Sequence, residues 1–192
     1  QTTCYLLNDT VLIDAGTGLG TLSLEAMARI DHVVLTHAHL DHIACLPLLV
    51  DSVAALREAP LQVWALPEVI GLLRAHIFNN QIWPDFTVIP DAAHPFLQLK
   101  PMPGDGITLA GLHFTALPAL HGIPACGYCV SQGDTTLAFS GDTSDCAGFW
   151  EAVLALPALT AVVVECSYPS AMAAMADLSM HMHAGALSER LR

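Results

Sequence analysis

The chain has 192 residues, 54% of them hydrophobic, which suits one domain with a sizeable core. Its 18 acidic against 6 basic residues give a formal charge of −12, which argues against a broad phosphate-tracking surface for DNA or long RNA. An anionic substrate has to be recruited locally, and a cluster of bound divalent cations would do that.

In chain order, Thr3 to Asn8 and Thr10 to Asp14 are short apolar runs around Asn8-Asp9, a hairpin signal. Gly16-Thr17-Gly18-Leu19-Gly20 turns into a helix across Thr21 to Ile30, and the strand His32-Val33-Val34-Leu35 follows. Ile43 to Glu58 reads as one helix with Pro47 near its start, Leu61 to Ala65 as a strand, and Pro67 to Ile77 as a helix opened by proline. From Thr87 the texture becomes β-like: Thr87-Ile89, Phe96-Lys100, Ile107-Leu109, Leu112-Leu117, Tyr128-Ser131 and Thr135-Ser140. Ala147 to Leu156 and Ala184 to Leu191 return to helix, with Thr160 to Cys166 as a buried strand between them. Strand-helix alternation at the front and a β-rich middle predict sheets packed face to face with helices outside, in a single domain over 1–192.

No membrane span is expected. The longest stretch without Asp, Glu, Lys or Arg, Gly106 to Gly133, carries His113, His121, Pro118 and Pro124, and Ala152 to Val164 is short and broken by Pro157. Six scattered cysteines (Cys4, Cys45, Cys126, Cys129, Cys146, Cys166) point to reduced thiols in a cytoplasm rather than a secreted disulfide scaffold. Gln1-Thr2-Thr3 shows neither an initiator Met nor a leader, so a periplasmic location stays open.

The chemistry concentrates in Thr36-His37-Ala38-His39-Leu40-Asp41-His42, four metal-ligand side chains within six residues at the end of a strand. Imidazole nitrogen with carboxylate oxygen suits zinc, and also manganese or iron. One turn offering this many ligands fits two ions better than one. His37 and His39 would face one ion, and Asp41 with His42 the other. His121, in Leu120-His121-Gly122-Ile123-Pro124, and Asp142, in Ser140-Gly141-Asp142-Thr143, are the obvious completions, with Asp142 able to bridge both ions.

These residues resemble the metallo-β-lactamase superfamily. The signs are Asp14 in an Asp-x-Gly-x-Gly turn, the His37 to His42 cluster, His121, and Ser140-Gly141-Asp142-Thr143, in that order over nearly the whole chain. The resemblance implies an α/β, four-layer αββα sandwich with one or two metals at one edge. Within the superfamily the chain looks most like the class II cyclic-nucleotide phosphodiesterases. Ile77-Phe78-Asn79-Asn80-Gln81-Ile82-Trp83-Pro84-Asp85, His121-Gly122-Ile123-Pro124-Ala125-Cys126-Gly127-Tyr128 and Glu165-Cys166-Ser167 carry that likeness. Cys45 stands where the family tends to have Gly or Ser. Family members also close the second metal site with a histidine after the helix that begins here near Ala184, so the domain is expected to be incomplete at both termini. A segment after Glu-Cys-Ser places a histidine beside the substrate six residues before a helix leucine. His181 to Leu187 gives that interval, so the resemblance implies that His181, rather than His183, either supports the ligands or works as an acid-base residue, and is not itself a metal ligand.

Other features read more plainly. Thr21 occupies the third glycine position of a dinucleotide loop, so the Gly16 turn is better read as aiming Asp14 at the metal-bearing loop in support of its ligands. Cys126-Gly127-Tyr128-Cys129 precedes a strand rather than a helix, which disfavours redox chemistry. His32, His76, His94 and His113 read as structural. Trp83, Phe78 and Phe86 either stack on a base or fill the core.

The reading is a metal-dependent phosphodiesterase that opens a small cyclic 3′,5′-nucleotide, cyclic AMP or cyclic GMP, to the 5′-nucleotide. Asp41 and His181 are its catalytic residues, and two ions about 3.5–4 Å apart hold a bridging hydroxide. A homodimer is compatible with it. The rivals are a tRNA 3′-processing endonuclease, which needs a basic docking surface, a thiolester, lactone or β-lactam hydrolase, and a metal-binding structural module without turnover.

Overall fold

The computed structural model describes residues 1–192 as two compact units, Gln1–Met102 and Pro103–Arg192, each with a five-stranded sheet.

In the first unit, β1 (Tyr5–Leu7) and β2 (Val11–Ile13) form an antiparallel hairpin. Asn8 and Asp9 both take positive φ, 47° and 59°, and the Thr10 N–H closes the turn on the Leu7 carbonyl at 3.2 Å. That is the twist a tight hairpin turn requires, and Asn and Asp tolerate it. β2, β3 (His32–Val34), β4 (Leu61–Ala65) and β5 (Leu97–Pro101) then run parallel in the order β1-β2-β3-β4-β5.

Parallel neighbours need crossovers. Here they carry the helices α1 (Leu24–Ala28), α2 (Leu40–Ile43), α3 (Leu46–Val53) and α4 (Pro67–His76). Leu12, Val33, Leu61, Val63 and Leu97 from alternate strand positions bury themselves with Leu46, Leu49, Val50 and Val53 of α3 and Val69 and Leu73 of α4. Each such side chain contributes about 1.5–3 kcal/mol of burial free energy.

Two expectations in this unit need correction. The helix expected over Ile43 to Glu58 is broken at Cys45 and gives way to a 3-10 turn after Val53. Pro47 explains the break, because it has no N–H for the Ile43 carbonyl and its ring would strike that oxygen. Thr87-Ile89 is not a strand. The Asp85 carboxylate takes both the Thr87 N–H (3.0 Å) and its hydroxyl (2.6 Å), so a local turn outcompetes the ladder.

The second unit contains β6 (Ile107–Leu109), β7 (Leu112–Pro118), β8 (Cys126–Gln132), β9 (Thr135–Phe139) and β10 (Leu159–Val163), in the order β10-β9-β8-β7-β6. All its pairs are antiparallel except β9 with β10, which α5 (Ala147–Leu154) connects. Leu117, Cys129 and Ala138 pack against Phe149, Trp150 and Val153 of α5, and Met182 completes the cluster. Gly127 is required where β8 crosses β9, since a Cβ there would lie 2.4 Å from the Phe139 carbonyl oxygen.

The strand expected to be buried over Thr160 to Cys166 is instead the edge strand β10, with Leu159 and Val163 each 37% exposed. A continuous apolar run marks a parallel strand without fixing its place in the sheet. α6 (Ala173–Ser179) was not expected, and α7 (Ala184–Arg190) follows it.

Candidate functional site

In the first unit, parallel pairing of Ile13 with Val34 brings the ends of β2 and β3 to one sheet edge. Asp14 leaves β2 at φ 57° and its N–H bonds the Val34 carbonyl at 2.9 Å, so its carboxylate faces the start of the histidine loop. That carboxylate is completely buried and accepts three hydrogen bonds: from the Thr36 N–H (2.8 Å), the Thr36 hydroxyl (2.8 Å) and His42 Nδ1 (2.7 Å). Burial pushes the Asp14 carboxyl above the usual range, against the pull of His42 and Thr36.

A carboxylate only accepts here, so His42 carries its proton on Nδ1 and presents the lone pair of Nε2. The same logic extends to His37. Because the Thr36 hydroxyl donates to Asp14, it accepts from His37 Nδ1 at 3.0 Å, which leaves Nε2 as the basic nitrogen of His37. That Nε2 lies 3.1 Å from His39 Nδ1. Two nitrogens on a tetrahedral zinc with bonds of about 2.0–2.1 Å would stand about 3.3 Å apart, so the pair is already spaced as ligands. His37 and His42 are buried, whereas the Asp41 carboxylate is 55% exposed with an oxygen 3.7 Å from His42 Nε2.

Gly16 holds this loop in place. A Cβ there would sit 2.2 Å from the Asp41 carbonyl oxygen and 2.6 Å from that of Thr3, so only glycine lets the three backbone segments meet.

In the second unit, parallel pairing of Phe139 with Val163 brings the ends of β9 and β10 to one edge, with Asp142 following the first and Glu165 the second. The Glu165 carboxylate accepts from the Thr143 N–H, from the Ser167 hydroxyl (2.7 Å) and from His181 Nδ1 (3.0 Å). His181 Nδ1 also lies 3.9 Å from Asp142 Oδ2, and the His121 and His181 rings meet edge to face at 4.9 Å. Ligand atoms of His121, Asp142 and His181 all fall within 4.8 Å of one another. His121 Nδ1 bonds the Met180 carbonyl at 3.0 Å.

The two clusters therefore fit divalent cations by their donor types, their spacing and the hydrogen bonds that fix the histidine tautomers. Glu165 was legible in the sequence only as part of a family likeness, and nothing there pointed to its contact with His181. His183 lies elsewhere: it caps α7, its Nδ1 accepting the Ala186 N–H at 3.3 Å. His94 pairs with Asp91 at 3.3 Å and His113 with the Thr108 hydroxyl at 3.1 Å.

Comparison with known proteins places this geometry. A family model described as a beta-lactamase superfamily domain matches residues 9–191. A Saccharomyces cerevisiae protein named 3′,5′-cyclic-nucleotide phosphodiesterase 1 is 38% identical over 64 residues, 33% of this chain and 17% of that protein. The crystal structure of unliganded yeast PDE1 matches with a TM-score of 0.75 at 24% identity, over 88% of this chain and 52% of its own. The chain thus spans about half the length of that structure. The metallo-beta-lactamase fold protein YhfI from Bacillus subtilis (TM-score 0.67, 19% identity) matches over 94% of this chain and 69% of its own. Human tRNase Z, short form (0.69, 16%), matches over 97% and 79%. These likenesses show the α/β metallo-β-lactamase fold that the motifs imply.

Proposed function

This chain belongs to the β-lactamase superfamily, and we propose that it serves a metal-dependent phosphodiesterase that hydrolyses cyclic 3′,5′-nucleotides such as cyclic AMP or cyclic GMP to 5′-nucleotides. The observation that carries this reading is the His181–Glu165 pair at 3.0 Å, set beside Asp142 and His121. His37, His39, Asp41, His42, His121 and Asp142 are the proposed ligands of two divalent ions, zinc or alternatively manganese or iron. When bound, such ions activate water and neutralise phosphate charge.

The chain's own residues supply the rest. Glu165, itself held by Thr143 and Ser167, fixes His181 through Nδ1, so that Nε2 is the nitrogen offered to the substrate. When the ring is doubly protonated, with Glu165 facing its Nδ1–H, it delivers the Nε2 proton to the departing 3′-oxygen and is left as the neutral Nδ1–H imidazole. Asp41 is exposed enough to serve both as ligand and as acceptor of the proton of the attacking water. The acidic balance favours a small substrate held at the metals over a long polyanion held by a surface.

The test is turnover with added zinc or manganese on cyclic AMP, cyclic GMP, bis(p-nitrophenyl) phosphate, a tRNA precursor and a thiolester. Faster hydrolysis of a cyclic nucleotide than of the other substrates is the expected result. Cleavage of the tRNA precursor with no cyclic-nucleotide turnover would replace this reading with the endonuclease, and metal binding with no turnover at all would replace it with the structural module.

A further inference from the structure

Met180 is the one residue of this region whose backbone contradicts its side chain. It ends α6 at φ 56° and ψ 47°, a left-handed conformation that glycine adopts easily and a long side chain does not. The hydrogen bonds show what the conformation achieves. The Met180 N–H reaches back to the Asp177 carbonyl at 3.2 Å and the His181 N–H to the Ala176 carbonyl at 2.9 Å, the paired bonds of a Schellman turn with His181 as its last residue. Ala176 is fully buried, and Met182, on the other side of His181, is 1% exposed and accepts the N–H groups of Ser167 and Tyr168. His181 is therefore pinned on both sides, with the left-handed residue deciding where its ring emerges.

The same turn directs the Met180 carbonyl at His121. A carbonyl oxygen only accepts, so the 3.0 Å contact requires the proton of His121 to be on Nδ1 and the basic lone pair on Nε2. We propose that Met180 is a positioning residue whose left-handed backbone sets two groups at once: the tautomer of His121, as a metal ligand, and the placement of His181 against Glu165. The inference rests on the functional reading above for the roles of those histidines. Its physical content, a backbone carbonyl that fixes an imidazole tautomer, stands apart from turnover. The methionine side chain itself is not needed for it.

The experiment is ¹H–¹⁵N long-range NMR of the histidine rings in metal-free protein, together with zinc affinity by chelator competition. Wild-type protein and Met180→Gly, which relaxes into the same conformation, should both show His121 with its proton on Nδ1, and zinc affinities within about twofold of each other. Met180→Val, β-branched and unsuited to this conformation, should mix the His121 tautomers and weaken zinc by roughly tenfold or more, the scale of losing a ligand's supporting hydrogen bond. The wild-type spectrum tests the proposal without any substitution: a His121 proton on Nε2 would overturn it. So would a folded Met180→Val with unchanged tautomer and zinc affinity. If the tautomer and zinc results come out as expected while no variant, wild type included, hydrolyses a cyclic nucleotide, the functional reading fails and this inference stands.

Discussion

Removing the Asp14 carboxylate tests the most buried polar contact of the candidate site. Asp14→Ala leaves the Thr36 N–H and His42 Nδ1–H without the acceptor they reach at 2.8 and 2.7 Å, in a place with no solvent exposure, while the Thr36 hydroxyl rotates toward another partner. Each of the two stranded buried donors costs about 1–3 kcal/mol, so Asp14→Ala should lose about 2–6 kcal/mol, a large fraction of the roughly 5–15 kcal/mol of a typical domain. Asp14→Asn keeps one acceptor oxygen but turns an NH₂ toward one of the donors, and it should fall about halfway between. The second effect is on metal. Without the carboxylate His42 is no longer held with its proton on Nδ1, and zinc affinity should drop by about 10–100-fold. Urea denaturation of the metal-free protein measures the first effect and chelator competition the second, with the exposed Asp51→Asn as a control expected to stay within about 0.5 kcal/mol. If Asp14→Ala matched that control in stability and kept wild-type zinc affinity, the network would not be what orients the histidines.

Further substitutions separate the remaining roles. Gly16→Ala places a methyl against two carbonyl oxygens at 2.2 and 2.6 Å, so it should destabilise by about 1–3 kcal/mol and reduce zinc affinity by displacing the Asp41 backbone; unchanged unfolding and metal titrations would refute the close-approach account. Asp41→Ala should lower metal content and turnover together, whereas His181→Ala should keep the metal and slow turnover by about 10²–10⁴; metal analysis beside kinetics decides, and a His181→Ala protein stripped of metal would make His181 a ligand. Burial holds His32 below the ordinary histidine range, so as pH falls through about 6.5 the unfolded chain takes up a proton that the folded one resists, and stability is lost. His32→Gln removes that linkage, so its stability relative to wild type should improve between about pH 7 and 5, and parallel curves would contradict the sign.

The histidine cluster was legible in the sequence because ligand types are scarce in ordinary turns and here crowd together after an apolar strand. Pro47 is visible too, but the apolar periodicity around it runs on through Cys45 and masks the break there. Met180 illustrates a different limit. A left-handed position is normally signalled by glycine or asparagine, and a methionine there gives no warning. β10 marks a third limit, since its apolar composition states that it is a strand and leaves open which neighbours cover it.

What the sequence hid most thoroughly is that the two units use one device. In each, an acid or its neighbour just past one parallel strand bonds a group just past the next: Thr36 N–H to Asp14, and Thr143 N–H to Glu165. Both bonds span 22 residues, the length of a crossover that carries a helix and returns the chain beside its starting strand. No local window holds both partners, so the turn motif aims Asp14 at the histidine loop without naming Thr36, and Glu165 stands out only within a family likeness. Parallel register supplies the missing information: once Ile13 is paired with Val34, and Phe139 with Val163, the residues immediately beyond are neighbours at the sheet edge. A one-residue slip in either pairing would turn those side chains to the opposite face. The chemistry at each edge therefore depends on strand cores several residues away, where Val33 and Ala138 lie fully buried.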